Sequence, residues 1–414
     1  MIYAPSMRKK SYKKIFVLSL TYLRSMDTRH SNRITSIDIL RGLVMIIMAL
    51  DHTRDFFHVT AMTIDPTNNP NPDVALYFTR WITHYCAPIF VFLSGLSAYL
   101  SGRNKTRAAA SAFLLKRGIW LILVEMIVIT LGLTYNPLYN FIIWQVIWVI
   151  GWSMIILALL IRFSFTAVLA VGLLLFFGHN ITDHLTLPQS GWAGNLVKIL
   201  FTARGTILPV SSTHVIAVLY AILPWTGVLL LGYCSGYWFR KEFSPVKRRR
   251  MLLVTGLTMI GLFILLRFFN WYGEPVPWDK VHVLSFLNTS KYPPSLHYLF
   301  MTLGPGFVAL ALLENVQTRW SAVISVYGRV PFFYYVLHFY IIHTLLVILF
   351  FATGHGSSEI VHPQVPFLFR PLNFGFSLAV VYVIWLAIVA LLYLPCRWFH
   401  QYKLTHTQWW LRYV

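Results

Sequence analysis

The sequence predicts an all-α fold: a polytopic integral membrane protein of about ten transmembrane helices, with both termini cytoplasmic. Composition is the first reason. Of 414 residues, 57% are hydrophobic and only 11% charged, and the mean hydropathy is +0.64. That length has room for two or three soluble domains, but a soluble surface needs far more charge. The second reason is that several apolar stretches reach the roughly 20 residues that cross a bilayer core. The third is where the basic residues fall. A net charge of +21 suggests a nucleic-acid binder until its distribution is followed along the chain. It then reads as a topology signal, and nucleic acid is not expected as a partner.

Ten spans are expected, at 37–57, 80–101, 112–133, 141–161, 163–178, 214–238, 251–270, 296–314, 330–352 and 375–396. An even number puts both termini on one side. With the N-terminus inside, 26 of the 34 Lys and Arg residues lie in cytoplasmic segments or helix ends, as the positive-inside rule requires. The run Lys247-Arg248-Arg249-Arg250 is then a cytoplasmic anchor. The outward loops 58–79, 179–213, 271–295 and 353–374 are longer and rich in Pro, Asn, Trp and His, and long loops are where binding surfaces sit.

The chain divides into a basic N-terminal extension (1–32), a transmembrane domain (33–396) and a cytoplasmic tail (397–414). The extension holds Arg8, Lys9, Lys10, Lys13 and Lys14, and its apolar run Ile15 to Leu20 is too short to span. Leu23-Arg24-Ser25-Met26 is a poor cleavage site, and Met26 is an alternative start. The cysteines Cys86, Cys234 and Cys396 show neither paired nor metal-ligand spacing, so no disulfide framework and no metal are expected.

Ionisable groups inside a membrane are costly and mark functional sites by default. Asp38, Asp51 and Glu125 fall within spans, and Asp55 lies at the outer end of the first. Most of the 15 histidines fall in the outer half, so proton-transfer chemistry faces outward. Span one is the most informative. Asp38 and Arg41, three apart, can pair on one helix face. Arg41 and His52, eleven apart, differ by about 20° of rotation and roughly 16 Å of rise. They share a face, one near the cytoplasmic surface and one at mid-membrane or beyond. Asp55, three past His52, is placed to orient its imidazole. The bland alternative is a polar network that holds helices together, with Arg41 reaching to the interface.

Other constellations are weaker. His179-Asn-Ile-Thr-Asp-His184 lacks a metal-binding frame and reads as helix-end or loop structure. His338 and His343 do not share a face; one is expected to line a cavity and the other to be a satisfied core histidine. Glu125 lies roughly 12 Å beyond Arg117 along a helix and needs a partner, for which a buried Arg or His is expected. Trp144, Trp148 and Trp152 read as packing.

At Ser36-Ile-Asp-Ile-Leu-Arg-Gly the chain resembles the heparan-alpha-glucosaminide N-acetyltransferase catalytic-domain family, multispanning proteins with mostly uncharacterised bacterial members. The resemblance continues through Ala49-Leu-Asp-His-Thr-Arg-Asp-Phe-Phe, Thr79-Arg-Trp-Ile-Thr-His-Tyr-Cys-Ala-Pro, Gln145-Val-Ile-Trp-Val-Ile-Gly-Trp-Ser-Met, Phe286-Leu-Asn-Thr-Ser-Lys-Tyr-Pro-Pro-Ser and Gly328-Arg-Val-Pro-Phe-Phe-Tyr-Tyr-Val-Leu-His. It implies acyl transfer from cytoplasmic acetyl-CoA to an acceptor on the far side of the membrane. A wider superfamily shares an Arg, ten residues, His pattern in its first span, which Arg41 and His52 fit. By that resemblance His52 is the acyl-transfer base or acyl carrier, and Arg41 helps hold the cofactor. In the lysosomal enzyme of the family the proposed histidine lies in the first lumenal loop. That loop here offers His58, and His84 also lies near the outer mouth.

The expected function is a transmembrane acyltransferase that moves an acyl group, most simply acetyl, to an amine or hydroxyl of an extracytoplasmic sugar or envelope glycan. Candidate catalytic residues are His52, Asp51, Asp55, His58 and His84. Candidate cofactor-binding residues are Arg41, Arg103, Arg107, Lys116 and Arg117, with Lys105 nearby. The partners expected are the bilayer, acyl-CoA and the glycan acceptor, with a homodimer left open, in a bacterial inner membrane. The competing function is a proton-coupled transporter or a lipid or glycan flippase that uses the Asp/His/Arg face of span one as a relay.

Overall fold

The structure, a computed structural model, describes residues 34–69, 73–203 and 206–413. The expectations for the basic extension and for Met26 lie outside the described residues. Helix α1 (Thr35–Phe57) carries Asp38 in its first turn and Arg54 in its last, which complements the helix dipole at both ends. The Asp73 side chain accepts from the Leu76 N–H and starts α2 (Val74–Thr83). A turn at His84 and Tyr85 leads into α3 (Cys86–Gly102). Thr106 caps α4 (Arg107–Val124), which runs on through a π-helical turn (Glu125–Ile129) and a last turn (Thr130–Thr134). Then come α5 (Val146–Phe163), α6 (Phe165–Gly178), α7 (Ile222–Ser235), α8 (Pro245–Phe268) and α9 (Leu296–Leu313). The short α10 (Arg319–Arg329) opens on a Thr318–Ser321 capping box. Helices α11 (Pro331–Ala352) and α12 (Leu378–Thr405) complete the set.

Each expected span falls largely on a helix. Seven helical segments of the described residues are long and apolar enough to cross a membrane: Val74–Gly102, Val146–Phe163, Phe165–His184, Pro245–Phe268, Leu296–Leu313, Pro331–Ala352 and Leu378–Thr405. This is a multi-pass membrane protein. The charges of α1, the π-turn in α4 and the 14 residues of α7 set those three apart from the seven.

Glycines decide how the helices meet. A Cβ on Gly42 of α1 would lie 2.0 Å from the Ile324 carbonyl oxygen of α10, and one on Gly328 would lie 1.9 Å from the Asp38 carbonyl oxygen. The same reciprocity joins α3 to α7 (Gly95 on Leu229, Gly232 on Phe92), α4 to α5 (Gly118 and Gly151) and α8 to α9 (Gly256 and Gly304). Without a hydrophobic drive between helices in lipid, such close backbone approach is what packs them.

The all-α expectation needs correction, because a small sheet interrupts the helices. Strand β1 (Phe141–Trp144) pairs in parallel with β3 (Val215–Val218), and β2 (Thr206–Pro209) pairs antiparallel with β3. The spans expected at 141–161 and 214–238 therefore begin as strands. Phe-Ile-Ile-Trp and Val-Ile-Ala-Val are short apolar runs rich in β-branched and aromatic residues, which hydropathy alone cannot tell from helix. Strands β1 and β3 run toward the starts of α5 and α7, and Gln145 and Val146 at the start of α5 share a cavity wall with Met48, Asp51 and His52 of α1.

Candidate active site

The C-terminal third of α1 delivers its polar residues to one cluster. Asp51 Oδ1 accepts from Arg80 Nη1 at 2.6 Å, Thr83 Oγ1 at 2.9 Å and Arg54 Nη2 at 3.3 Å. The same Arg54 nitrogen donates to Asp55 Oδ1 at 2.5 Å. Two carboxylates and two guanidinium groups thus balance in a largely buried network. The bond expected between Asp55 and His52 is not formed, because Arg54 is the nearer and permanently charged donor for that carboxylate. His52 instead packs on Phe339, ring centroids 4.6 Å apart, and on His338, at 5.3 Å.

His52, Asp51 and Asp55 line a cavity of about 150 Å³ together with Arg80, Gln145, Tyr220, Lys291, Tyr292 and Tyr335. Arg80, Lys291 and Tyr292 also line a second polar cavity of about 300 Å³, with His84, Asp65, Glu274 and Asn288. Glu274 accepts from the Ser290 N–H at 3.0 Å and from the Ser290 and Ser295 hydroxyls at 2.5 Å each. Burial pushes the Glu274 carboxyl above its ordinary value, and those serine donors oppose the shift. His84 is buried, and its Nδ1 has no partner among the described residues.

A third cavity, of about 220 Å³, sits at the other end of α1. It is lined by Arg41, Arg117, Arg329, Lys403 and Arg412, with no acidic residue in its wall. Arg41 donates to Ser97 Oγ at 2.7 Å, to the Gly328 carbonyl at 2.9 Å and to Asp38 at 3.3 Å. The close contact of Gly42 and Gly328 is what brings that carbonyl within reach. Phe90 of α3 lines both this cavity and the one holding His52. Tyr335 of α11 faces one, and Pro331 and Phe332, one turn earlier, face the other. The two chambers therefore meet across Phe90.

The remaining candidates scatter. His58 is buried, its Nδ1 lies 3.0 Å from the Thr60 hydroxyl, and its carbonyl accepts from Arg370 Nη2 at 2.8 Å. Burial and then the charge of Arg54 hold its imidazole below the usual value, and it lines none of these cavities. Arg103 ends α3, exposed; Lys116 is exposed on α4. Arg107 lines a separate cavity with Lys105 and Arg240.

Glu125 is fully buried, but its partner is not the expected Arg or His. Its Oε2 accepts from the Trp148 N–H at 3.2 Å, in the first turn of α5, where free backbone donors favour an anion. His343 is the core histidine, with Nδ1 3.0 Å from the Leu133 carbonyl and Nε2 2.9 Å from the Leu368 carbonyl, to one of which a neutral imidazole donates. His338 reaches the site. Sequence reasoning gave no site role to Arg54, Arg80, Lys291 or Tyr292, although Thr79-Arg80-Trp81 and Ser290-Lys291-Tyr292 carried the family resemblance.

Two polar chambers thus sit toward the two ends of a charged helix, inside a bundle of apolar helices. The chain belongs to the heparan-alpha-glucosaminide N-acetyltransferase catalytic family, whose model matches residues 33–269, more than half of it. No curated protein matches the sequence. The matched region contains α1 to α8 and the Asp51–Arg80 network, whereas Glu274, Lys291 and His338 lie beyond it.

Proposed function

We propose that this acetyltransferase-family protein takes an acetyl group from acetyl-CoA on the cytoplasmic side and passes it to an amine or hydroxyl of an extracytoplasmic sugar or glycan. The observation that carries the reading is the pair of chambers meeting at Phe90. The all-cationic chamber suits the phosphates of CoA, with Arg41 and Arg117 as the expected contacts that line it. Its position at the basic end of α1 agrees with the positive-inside count. A pantetheine arm that passes Phe90 brings the thioester to His52.

There the acceptor nitrogen or oxygen attacks the acetyl carbonyl carbon. The new N–C or O–C bond forms as the C–S bond breaks, His52 takes the acceptor proton, and that proton leaves with the CoA thiolate as the thiol. His52 suits the task because no hydrogen bond to another described residue commits its imidazole and because it lines the chamber. Arg80 and Lys291 stand in the shared wall, where they favour the oxyanion that develops on the carbonyl. The outer polar chamber is the expected acceptor site, and its carboxylate, amide and hydroxyl groups suit a hydroxylated ring.

The test uses sealed vesicles with labelled acetyl-CoA on one side and a panel of amino sugars and envelope glycans on the other. Transfer across the membrane supports the proposal, and His52→Ala is expected to abolish it while acetyl-CoA binding persists. A wild-type protein that neither hydrolyses acetyl-CoA nor acetylates any acceptor would overturn it in favour of a transporter. Normal transfer by His52→Ala with loss in His58→Ala would move the chemistry to the loop histidine.

A further inference from the structure

Away from the polar chambers, a cavity of about 530 Å³ lies between α6 and α8 and is almost wholly apolar. Helix α6 packs on α7 and α8 packs on α9, which leaves this space between the two pairs. Its wall follows α6 from Phe165 to Phe177, about 18 Å of helix. That is the reach of a long hydrocarbon chain and more than half of a bilayer core. Neither helix is deeply buried, with 28% and 22% of their apolar windows buried, so the space is bordered by lipid-facing surface.

The end of this cavity at Phe165 adjoins a different environment. Phe165 also lines the cavity of about 210 Å³ that holds Lys105, Arg107 and Arg240, with no acidic residue in its wall. Arg240 donates to Tyr99 Oη at 2.6 Å, and its guanidinium lies 4.7 Å from the ring of Tyr237. Tyr237 and Trp238, in turn, line the apolar cavity. The nearby Glu314 carboxylate is taken by Arg248, and Glu242 is exposed. Apolar cavity, aromatic collar and cationic mouth thus follow one another, in the order of chain, interface and phosphate in a phospholipid.

We infer that this is a binding site for an anionic phospholipid of the leaflet on the basic side, with one acyl chain between α6 and α8 and its phosphate at Lys105 and Arg240. The charge of the mouth favours an anionic over a zwitterionic headgroup. A soluble phosphate would use the mouth alone and leave the apolar cavity out of the equilibrium.

The full chain in uncharged detergent is titrated with phosphatidylglycerol or phosphatidylcholine, and bound lipid is read by native mass spectrometry. Phosphatidylglycerol is expected to be retained more strongly, and Arg240→Gln and Lys105→Gln each to weaken it about fivefold, the effect of one cation near a membrane surface. Leu173→Trp, which fills the apolar cavity, is expected to reduce retention of lipid without altering binding of acetyl-CoA. Equal retention of the two lipids, or no response to Leu173→Trp, overturns the inference. Displacement of the lipid by inorganic phosphate or by CoA at matched concentration also overturns it and makes the mouth a site for soluble phosphates. Variants that fail to fold are recognised by gel filtration and replaced by Leu169→Phe and Lys105→Ala, with the same outcomes required.

Discussion

The imidazole of His52 lies against that of His338, ring centroids 5.3 Å apart and planes tilted by 48°. His338 Nδ1 is 2.5 Å from the Tyr335 carbonyl oxygen, one turn back on α11, so that nitrogen carries the proton and Nε2 keeps a bare lone pair. Nε2 is buried without a partner among the described residues. A second histidine, 286 residues from the first, thus presents a fixed tautomer beside it.

His338→Phe is expected to lower turnover by about tenfold or more while leaving the KM for acetyl-CoA unchanged. His338→Gln, whose amide oxygen replaces the Nε2 acceptor, should recover part of the rate. Steady-state kinetics decide the matter: equal losses in Phe and Gln variants, or a change confined to KM, would reduce His338 to packing.

The Asp51–Arg80 pair predicts an asymmetric cost. Arg80→Ala leaves a buried carboxylate with only Arg54 and Thr83, and loss of one partner of such a pair costs roughly 3–5 kcal/mol. Asp51→Asn keeps the shape and two acceptable hydrogen bonds, so it should cost less. Melting in detergent should rank wild type above Asp51→Asn above Arg80→Ala, and the reverse order would show that the network does not hold α1 to α2.

Glu274 ties stability to pH. Burial raises its carboxyl pKa from 4.5, so the folded state holds this proton more tightly than the unfolded chain does. The contribution is full below the unfolded carboxylate pKa and is lost as pH rises through the raised folded value. Glu274→Gln should therefore lose less stability than wild type as pH rises from the ordinary carboxylate range through the raised folded value. Parallel dependence of the two melting temperatures on rising pH would refute this.

Gly328 helps hold Arg41 in the wall of the cationic chamber through its carbonyl. A side chain there meets the Asp38 carbonyl, so Gly328→Val should push α10 from α1, cost about 1–3 kcal/mol or more and release Arg41 from the Gly328 carbonyl. Affinity for acetyl-CoA, measured by equilibrium binding, should fall even in protein that remains folded. Unchanged affinity would place Arg41 outside cofactor binding.

Sidedness is checked by reporter fusions. Residue 245 should read cytoplasmic and residue 195 extracytoplasmic, because Lys247 to Arg250 in the first turns of α8 anchor that end inside. The opposite pattern would exchange the roles of the two chambers.

Much of this molecule was legible one helix at a time. Hydropathy located the apolar helices, seven of which are long and apolar enough to span, and the 3.6-residue period placed Asp38 by Arg41 and set Arg41 and His52 toward opposite ends of one face, because relations within a helix depend only on local backbone geometry. The same period suggested Asp55 as the partner of His52 and failed, since spacing says nothing of a competing donor such as Arg54 on the same turn. Arg80 on Asp51, Phe90 between the chambers and His338 beside His52 come from helices distant in sequence. Their meeting is decided by crossings that glycine pairs such as Gly42–Gly328 permit. Those contacts arise from the shapes of whole surfaces in three dimensions, and no interval along the chain encodes them.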